Sequence, residues 1–378
     1  MDKKTIGFVV NPIAGVGGAL GWKGTDDYLK AWKTTNLAGS ERAITRAHKA
    51  LQSIPDEIKD KIKWITASGI MGGQIFENIG LEFLEIYFPE IPTTPEDTRK
   101  FIRKAIEKKV DLLVFVGGDG TATIVAQELK NTNIPGIGVP AGVKITSPCF
   151  IKRPELLGSV LKDWLEGKLL QQHVEVIDLL EKDYVNGRVN PVLTGEILTL
   201  ISPYLQGEKT IYRGTDPELI ELSYEGIAET LKEDIKEGYW IIGPGSTTFR
   251  VMEKLGYKDL TLLGVDVLFN GEVIAKDVNC EQLIDILQDA SKGEIFLLMT
   301  PIGGQGFVLG RGNQQICCPV LKKVPLDHLI IVSTPEKIAD LKELYIDVDC
   351  DYPPHGTKTY AKVIIGNYQK RMIKLKVL

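Results

Sequence analysis

A short glycine-rich turn is the segment of this sequence best suited to chemistry. It reads Gly117-Gly118-Asp119-Gly120-Thr121. Glycines let a backbone turn sharply and bring its N–H groups close to a ligand, and a helix that follows adds the positive end of its dipole. The pattern therefore predicts a phosphate site, called here the 117–121 turn. Its carboxylate would either hold a metal or take a proton from a hydroxyl.

The residues around the 117–121 turn favour a binding site over a plain connection. Many turns with Asp-Gly only join a strand to a helix. Here the apolar run 112–116 predicts a buried strand and residues 121–129 predict a helix, which is the setting of a nucleotide-binding turn. We expect Asp119 to be catalytic. Four other residues are expected to line the phosphates: Gly117, Gly118, Gly120 and Thr121.

The elements that must position this turn alternate along the first part of the chain. Strands are predicted at 6–10, 62–66, 82–87, 112–116 and 137–139, and helices at 40–51, 95–108 and 121–129. Such alternation predicts a parallel sheet with helices on its faces.

Short strands prevail beyond about residue 165. They are predicted at 174–179, 196–202, 239–242, 262–269 and 295–299. The pair Asn270-Gly271 is typical of a two-residue hairpin. The tail, residues 329–378, is expected to return to strand, helix and strand.

Length sets the expected domain organisation. A single core rarely grows past about 250–300 residues, so a chain of 378 residues predicts two domains. The predicted fold class is α/β, with a Rossmann-like N-terminal domain and a β-rich C-terminal domain. We place the phosphate-binding domain at 1–165, the β-rich substrate domain at 166–330 and a C-terminal return segment at 331–378.

Charge and hydropathy argue against two classes of partner. Lys and Arg total 45 against 50 Asp and Glu, a net charge of -5, whereas nucleic acid demands a basic surface. No apolar run reaches the roughly 18 residues that span a bilayer, and the N-terminus does not resemble a signal peptide. We therefore expect no nucleic acid and no membrane as partner. Separately, we expect the chain to assemble with copies of itself.

The cysteines and histidines suggest neither a zinc site nor a disulfide framework. The sequence has five cysteines with no C-x-x-C pair, and its four histidines are scattered. Adjacent Cys317 and Cys318 are interpreted as ordinary filling of a strand. These patterns favour the reducing cytoplasm.

A second glycine-rich segment, residues 15–24, follows the first strand. It could pass for a Rossmann dinucleotide fingerprint, but that motif needs a second strand ending in Asp or Glu about 20 residues on, and residues 29–35 are polar and lysine-rich. We interpret the segment as a wall facing phosphate, with Gly15 and Lys23 as contacts. A plain surface loop is the alternative.

Two further cations are candidates for phosphate contacts. Lys144 follows a short strand, where its ammonium could reach a phosphate or stay in solvent. Arg311 stands between two glycines with amide side chains just after it. That pattern suits recognition of a phosphate or base, or the polar tip of a hairpin.

Several segments together resemble a known family. The 117–121 turn resembles the signature of the superfamily of NAD kinases, diacylglycerol and sphingosine kinases and, more remotely, phosphofructokinases. The segments 9–15, 21–26, 95–99, 140–144, 300–306 and 310–315 narrow the resemblance to the prokaryotic ATP-NAD kinase-like branch, over about residues 5–325.

The resemblance implies an NAD kinase-like fold and an ATP-dependent kinase. With Mg²⁺, such an enzyme transfers the γ-phosphate of ATP to the ribose 2'-hydroxyl of NAD, which gives NADP. The resemblance adds Asn11, at the end of the first strand, to the site. It also implies that Gly245, Ser246 and Thr247 help to bind the dinucleotide.

One departure from the family leaves the acceptor open. NAD kinases carry an Asn-Glu pair that grips the ribose and adenine, and this sequence contains no Asn-Glu dipeptide. The nearest substitutes are Glu196 and Asp178. The alternatives are a kinase for another polyol, nucleoside or lipid head group, and a non-catalytic nucleotide-binding regulator. Polyphosphate as donor and the identity of any metal ligands also stay open.

Overall fold

The structure is a computed structural model. It describes residues 3–22, 28–36, 38–143, 145–179, 191–206, 217–288, 293–353 and 360–378. Contacts within the chain define two compact units. Unit 1 comprises residues 1–17, 23–183 and 189–208, and unit 2 comprises residues 18–22, 184–188 and 209–378. The domain borders expected at 165 and 330 stay predictions.

Unit 1 is built on a parallel five-stranded sheet. Its strands are β1 (Lys4–Val10), β2 (Ile62–Ala67), β3 (Phe83–Tyr87), β4 (Leu112–Gly117) and β5 (Gly136–Pro140). Their order is β3-β2-β1-β4-β5, and every neighbouring pair is parallel. The inner strand β4 is buried along its whole length, as expected of a strand covered on both faces. The α/β prediction for this half is confirmed.

Helices follow most of these strands and bury their apolar faces. They are α1 (Tyr28–Thr34), α2 (Glu41–Gln52), α3 (Asp56–Lys59), α4 (Gly73–Ile79), α5 (Pro95–Glu107), α6 (Asp119–Leu129) and α7 (Leu157–Leu165). Ser40 caps α2 as expected, because its side chain accepts from the Ala43 N–H. Helix α6 begins two residues before the predicted start, so Asp119 is its first residue.

A two-stranded antiparallel ribbon completes unit 1. It pairs β6 (Gln171–Leu179) with β7 (Pro191–Leu200). The ribbon packs against α6, where Thr123 Oγ1 lies 2.8 Å from Thr194 Oγ1. The start of α6 is therefore held between the sheet and this ribbon.

Unit 2 contains one mixed sheet of nine strands. They are β8 (Tyr239–Ile242), β9 (Asp266–Phe269), β10 (Glu272–Ala275), β11 (Ile295–Met299), β12 (Phe307–Leu309), β13 (Leu329–Val332), β14 (Glu343–Ile346), β15 (Tyr360–Gly366) and β16 (Gln369–Val377). Their order is β10-β9-β8-β11-β13-β15-β16-β14-β12. The predicted hairpin joins β9 and β10, with Asn270 at φ 50° and Gly271 at φ 80°. The β-rich prediction is confirmed.

Helices of unit 2 lie between these strands. They are α8 (Pro217–Leu231), α9 (Ser246–Lys254), α10 (Cys280–Ile286) and α11 (Cys318–Leu321). The expected strand–helix–strand tail is wrong for its described residues. They form β13 to β16 and contain no helix; a 3-10 turn, Leu326–His328, lies just before the tail.

The cysteine prediction is also wrong. Cys280 pairs with Cys317 and Cys318 pairs with Cys350, with Cα atoms 5.7 and 6.0 Å apart. Cys317 and Cys318 do not fill a strand, because they begin the short helix α11. The argument for a reducing compartment loses its support, and localisation stays a prediction.

Candidate functional site

The 117–121 turn lies at the point where the strand order of unit 1 reverses. The chain adds β2 and β3 on one side of β1, and β4 and β5 on the other. In open parallel sheets, ligands bind outside the carboxyl ends of the strands at such a point. The turn leaves the carboxyl end of β4 there and runs into α6.

Asn11 joins the end of β1 to this turn. Its backbone N–H donates to Val116 O at 2.9 Å. Its side-chain amide donates to Thr121 Oγ1 at 3.0 Å. The structure thus brings together Asn11 and Thr121, which the sequence separates by 110 positions.

The glycines of the site differ in what they permit. A Cβ on Gly117 would overlap the side chain of Thr121. Gly15 has φ 80°, and a Cβ there would overlap Ala141 O. Gly118 has extended backbone, which any residue adopts. Gly120 is exposed, and a Cβ there would lie 3.9 Å from Asp178 Oδ2. Gly15 and Gly117 are therefore structural, and Gly120 leaves room for a ligand.

Asp119 is buried at the start of α6, and each of its carboxylate oxygens accepts two hydrogen bonds. Its side chain is 2% exposed. Oδ2 accepts from the N–H and hydroxyl of Thr146 at 2.7 and 2.5 Å. Oδ1 accepts from the N–H and hydroxyl of Ser147 at 3.0 and 2.7 Å. The carboxylate therefore anchors the segment after β5 to the 117–121 turn.

Burial sets the protonation of this carboxyl group. It raises the pKa of Asp119 to about 6, against the lowering effect of the hydrogen bonds from Thr146 and Ser147. A base with a pKa just below neutrality is ionised at neutral pH and still binds a proton readily. The environment of Asp119 therefore fits proton transfer.

Both hydroxyls that hold Asp119 have a second acceptor in range. Thr146 Oγ1 lies 3.1 Å and Ser147 Oγ lies 3.2 Å from Ile177 O. A hydroxyl has one hydrogen to donate. Rotation of either hydroxyl towards Ile177 would free a lone pair of the carboxylate without moving the backbone.

The two carboxylates named as substitutes for the missing Asn-Glu pair lie in different settings. Asp178 Oδ2 is 3.9 Å from the position that a Cβ on Gly120 would take. Glu196 is exposed on the ribbon, paired in register with Glu175. The structure brings Asp178, and not Glu196, close to the turn.

Of the three predicted cations, the structure describes only Arg311. Lys23 and Lys144 lie outside the described residues. Arg311, in unit 2, is buried, and its Nε is 2.6 Å from Asp347 Oδ2. Its guanidinium carbon also lies 4.2 Å from the centre of the Phe307 ring. The geometry around Arg311 is that of a buried ion pair, and its ligand role stays a prediction.

In unit 2, the predicted Gly245-Ser246-Thr247 segment opens α9. Gly245 has φ 142°, and a Cβ there would stand 2.5 Å from Thr300 Cγ2, so only glycine permits this approach. Ser246 is exposed and Thr247 is buried. Lys337 Nζ donates to Thr247 Oγ1 at 3.1 Å and to Thr300 Oγ1 at 2.9 Å.

Sequence reasoning missed several of these residues. Thr146, Ser147 and Lys337 carried no motif of their own. The signal that could have found Lys337 is the polar segment 333–337, which directly follows the apolar strand β13. Polar residues just beyond the carboxyl end of a buried parallel strand are candidates for ligand contacts.

The described residues lack both a metal-binding cluster and a membrane-spanning helix. They contain no group of three or more His, Cys, Asp and Glu side chains placed to hold a metal ion. In the same part of the chain, no helix is both long and apolar enough to cross a membrane.

Family comparisons match both halves of the chain. Residues 6–169 match the ATP-NAD kinase N-terminal domain. Residues 206–375 match the ATP-NAD kinase C-terminal domain. A search of curated proteins found no match.

Similarity to solved structures is weak. One is a solute-binding protein of an ABC transporter from Rhodopseudomonas palustris BisB5 in complex with 3,4-dihydroxybenzoic acid, with 12% identity and a TM-score of 0.25. The match covers 89% of this chain and 63% of that one. Another is a UDP-N-acetylglucosamine 2-epimerase, with 10% identity and a TM-score of 0.23; the match covers 88% of this chain and 79% of that one. TM-scores this low carry no argument.

Proposed function

The chain belongs to the ATP-NAD kinase family, and from this premise we propose that it transfers the γ-phosphate of ATP to a ribose hydroxyl of NAD. Membership makes it a phosphotransferase that acts on a small molecule. The identity of the acceptor and the roles of the residues are the proposal.

The observation that carries the proposal is the convergence at the switch point of unit 1. Asn11 from β1 meets Thr121 from the 117–121 turn, and Asp119 starts α6 between them. The turn offers backbone N–H groups and a helix N-terminus, both of which favour a phosphate. Gly120 leaves space beside the turn for a donor phosphate.

For phosphoryl transfer, the protein mainly has to position the reactants and stabilise the charge on the phosphates. The acceptor oxygen forms a bond to the γ-phosphorus, the bond from that phosphorus to the β-phosphate oxygen breaks, and ADP leaves. Asp119 takes the proton of the acceptor hydroxyl. Its pKa of about 6 suits that role, and the hydroxyls of Thr146 and Ser147 can turn to Ile177 O to free a lone pair on each carboxylate oxygen.

Mg²⁺ enters this proposal as part of the MgATP substrate. The ion is usually held by substrate phosphates with one or two carboxylates, and it keeps several waters. Asp178, whose carboxylate is close to Gly120, is the side chain that fits such a contact. No step is assigned to a metal held by the protein alone.

A second acceptor class is supported by one observation. Glu196, the nearest substitute for the missing Asn-Glu pair, is exposed on the ribbon rather than gathered at the turn. A ligand polar group left unpaired costs about 1–3 kcal/mol. Loss of the adenosine contacts would therefore favour another hydroxylated metabolite as acceptor.

The test is an assay for NADP. The protein is incubated with ATP, Mg²⁺ and NAD, and NADP is read with a dehydrogenase that accepts only NADP. We expect NADP with wild type and about 10²–10⁴-fold less with Asp119→Asn. The matched control is Asp60→Asn, an exposed acid of unit 1, which should act like wild type.

Two outcomes would contradict the proposal. ATP consumption with another hydroxyl acceptor, and none with NAD, would move the chain to the second acceptor class. Binding of ATP with no consumption under any acceptor would identify a nucleotide-binding regulator.

A further inference from the structure

Three loops of unit 2 meet at one edge of its sheet. Strands β8, β11 and β13 are neighbours and run parallel. Their carboxyl ends lead into residues 243–247, 300–306 and 333–337, respectively. Loops at the carboxyl ends of adjacent parallel strands are the places where α/β sheets hold ligands.

A lysine and two hydroxyls join these loops. Lys337 Nζ, from the third loop, donates to Thr247 Oγ1 of the first and to Thr300 Oγ1 of the second. Both threonines are buried, with 2% and 6% of their surfaces exposed. These three residues are called the Lys337 cluster.

The Lys337 cluster can donate hydrogen bonds to an anion. Each hydroxyl accepts from the ammonium with a lone pair and keeps its own hydrogen to donate onward. Donors polarised in this way bind a charged oxygen more strongly than isolated hydroxyls do. The cluster thus combines one positive charge with two hydroxyl donors.

Two neighbouring features support the same ligand. Thr247 is the second residue of α9, a helix of nine residues, so the positive end of the helix dipole acts on the cluster. Thr334 accepts from the backbone N–H of Lys337 at 3.4 Å, which fixes where the lysine leaves the loop. The helix dipole and the fixed position of the lysine both favour an anion at the cluster.

We propose that the Lys337 cluster binds a phosphate group of the nucleotide ligand, with Lys337 as its cation. The proposal rests on the proposed function for the identity of the anion as nucleotide phosphate. Its binding test does not depend on turnover.

The first test measures binding by calorimetry, with inorganic pyrophosphate and NAD as separate probes. Lys337→Met should weaken binding about 10- to 100-fold, the range of a charge-assisted hydrogen bond, and Lys337→Arg should retain part of it. Lys342→Met, which removes an exposed charge from the same unit, is the control and should bind as wild type does. If Lys337→Met loses affinity for both pyrophosphate and NAD, the site binds any diphosphate. If it loses affinity for NAD alone, the site is specific for a dinucleotide.

A second measurement on wild type guards against a variant that fails to fold. An amine-acetylating reagent is applied with and without pyrophosphate or NAD, and modified lysines are read by mass spectrometry. Bound phosphate should slow acetylation of Lys337 several-fold and leave Lys342 unchanged. Equal acetylation of Lys337 with and without both probes would overturn the proposal, as would Lys337→Met with wild-type affinity for both.

The two proposals can fail separately. If pyrophosphate or NAD protects Lys337 from acetylation but the protein phosphorylates no acceptor, the kinase proposal is wrong and the phosphate site stands. If wild type and Lys337→Met form NADP equally well and bind NAD with equal affinity, the kinase proposal stands and the phosphate site is wrong.

Discussion

Asp119 is a buried carboxyl group whose ionisation should affect both the stability of the fold and the proposed catalytic step. Its pKa rises from 3.8 to about 6 on folding, mainly because burial disfavours the charge. Between these pH values the folded chain holds a proton that the unfolded chain has lost. The free energy of unfolding should therefore fall as pH rises through this window, by roughly 3 kcal/mol in all.

Asp119→Asn should remove this pH dependence. Urea denaturation of unit 1 at several pH values checks it, with Asp60→Asn as the variant that keeps the slope. In wild type, kcat/KM should drop as pH falls through about 6, because the base becomes protonated. A wild-type stability profile as flat as that of Asp119→Asn would contradict the assigned pKa.

Arg311 gives a second prediction at this scale. Its pair with Asp347 is almost wholly buried, with side chains 1% and 4% exposed. Removing one partner of such a pair costs about 3–5 kcal/mol, whereas replacing both by apolar residues is often neutral. Arg311→Met should destabilise unit 2 by that amount, and Arg311→Met with Asp347→Leu should recover most of it. A stable single variant that loses only nucleotide affinity would restore the ligand role.

At the scale of elements, the 117–121 turn combines one glycine that packing requires with two glycines that we propose face a ligand. Gly118→Val and Gly120→Ala should fold, since neither position has a positive φ, and both should weaken ATP binding measured by calorimetry. Gly117→Ala should instead lower the melting temperature, because its Cβ overlaps Thr121. Gly366→Ala, in the β15–β16 hairpin, is the control. Unchanged ATP affinity in folded Gly118→Val would contradict this placement of the donor.

The same turn shows where reading elements from sequence succeeds and fails. Strand β4 follows from an unbroken apolar run, and Ser40 and Thr94 mark the starts of α2 and α5 by their capping chemistry. The start of α6 was misplaced because glycine and aspartate favour turns, whereas tertiary contacts of Asp119 draw them into the helix. Local signals predict elements, and such long-range bonds are outside their reach.

At the scale of the whole molecule, the Lys337 cluster also depends on contacts that local sequence signals do not predict. Thr247 and Thr300 lie in segments that resemble the family, whereas the loop of Lys337 carries no motif. The three loops meet only because β8, β11 and β13 are adjacent in the sheet. The 117–121 turn was predictable because a single segment supplies most of it. Sites assembled from distant segments need the topology first.

The disulfides depend on the topology in the same way. Cys280 and Cys317 are 37 positions apart, and Cys318 and Cys350 are 32 apart. Nothing in that spacing marks a pair. They meet because α10, α11 and the segment after β14 pack around one core in unit 2.

Both crosslinks should stabilise unit 2. Closing loops of this length removes entropy from the unfolded chain, worth about 2–4 kcal/mol for each bond. The paired changes Cys280→Ala with Cys317→Ala should lower the free energy of unfolding of unit 2 by that amount in chemical denaturation, and a reductant, which opens both bonds, should lower it by about twice as much. The variant that lacks all four paired cysteines is the control, and reductant should leave it unchanged. Thiol titration of the unreduced, denatured chain should find Cys149 alone; five free thiols would show that the pairs do not form.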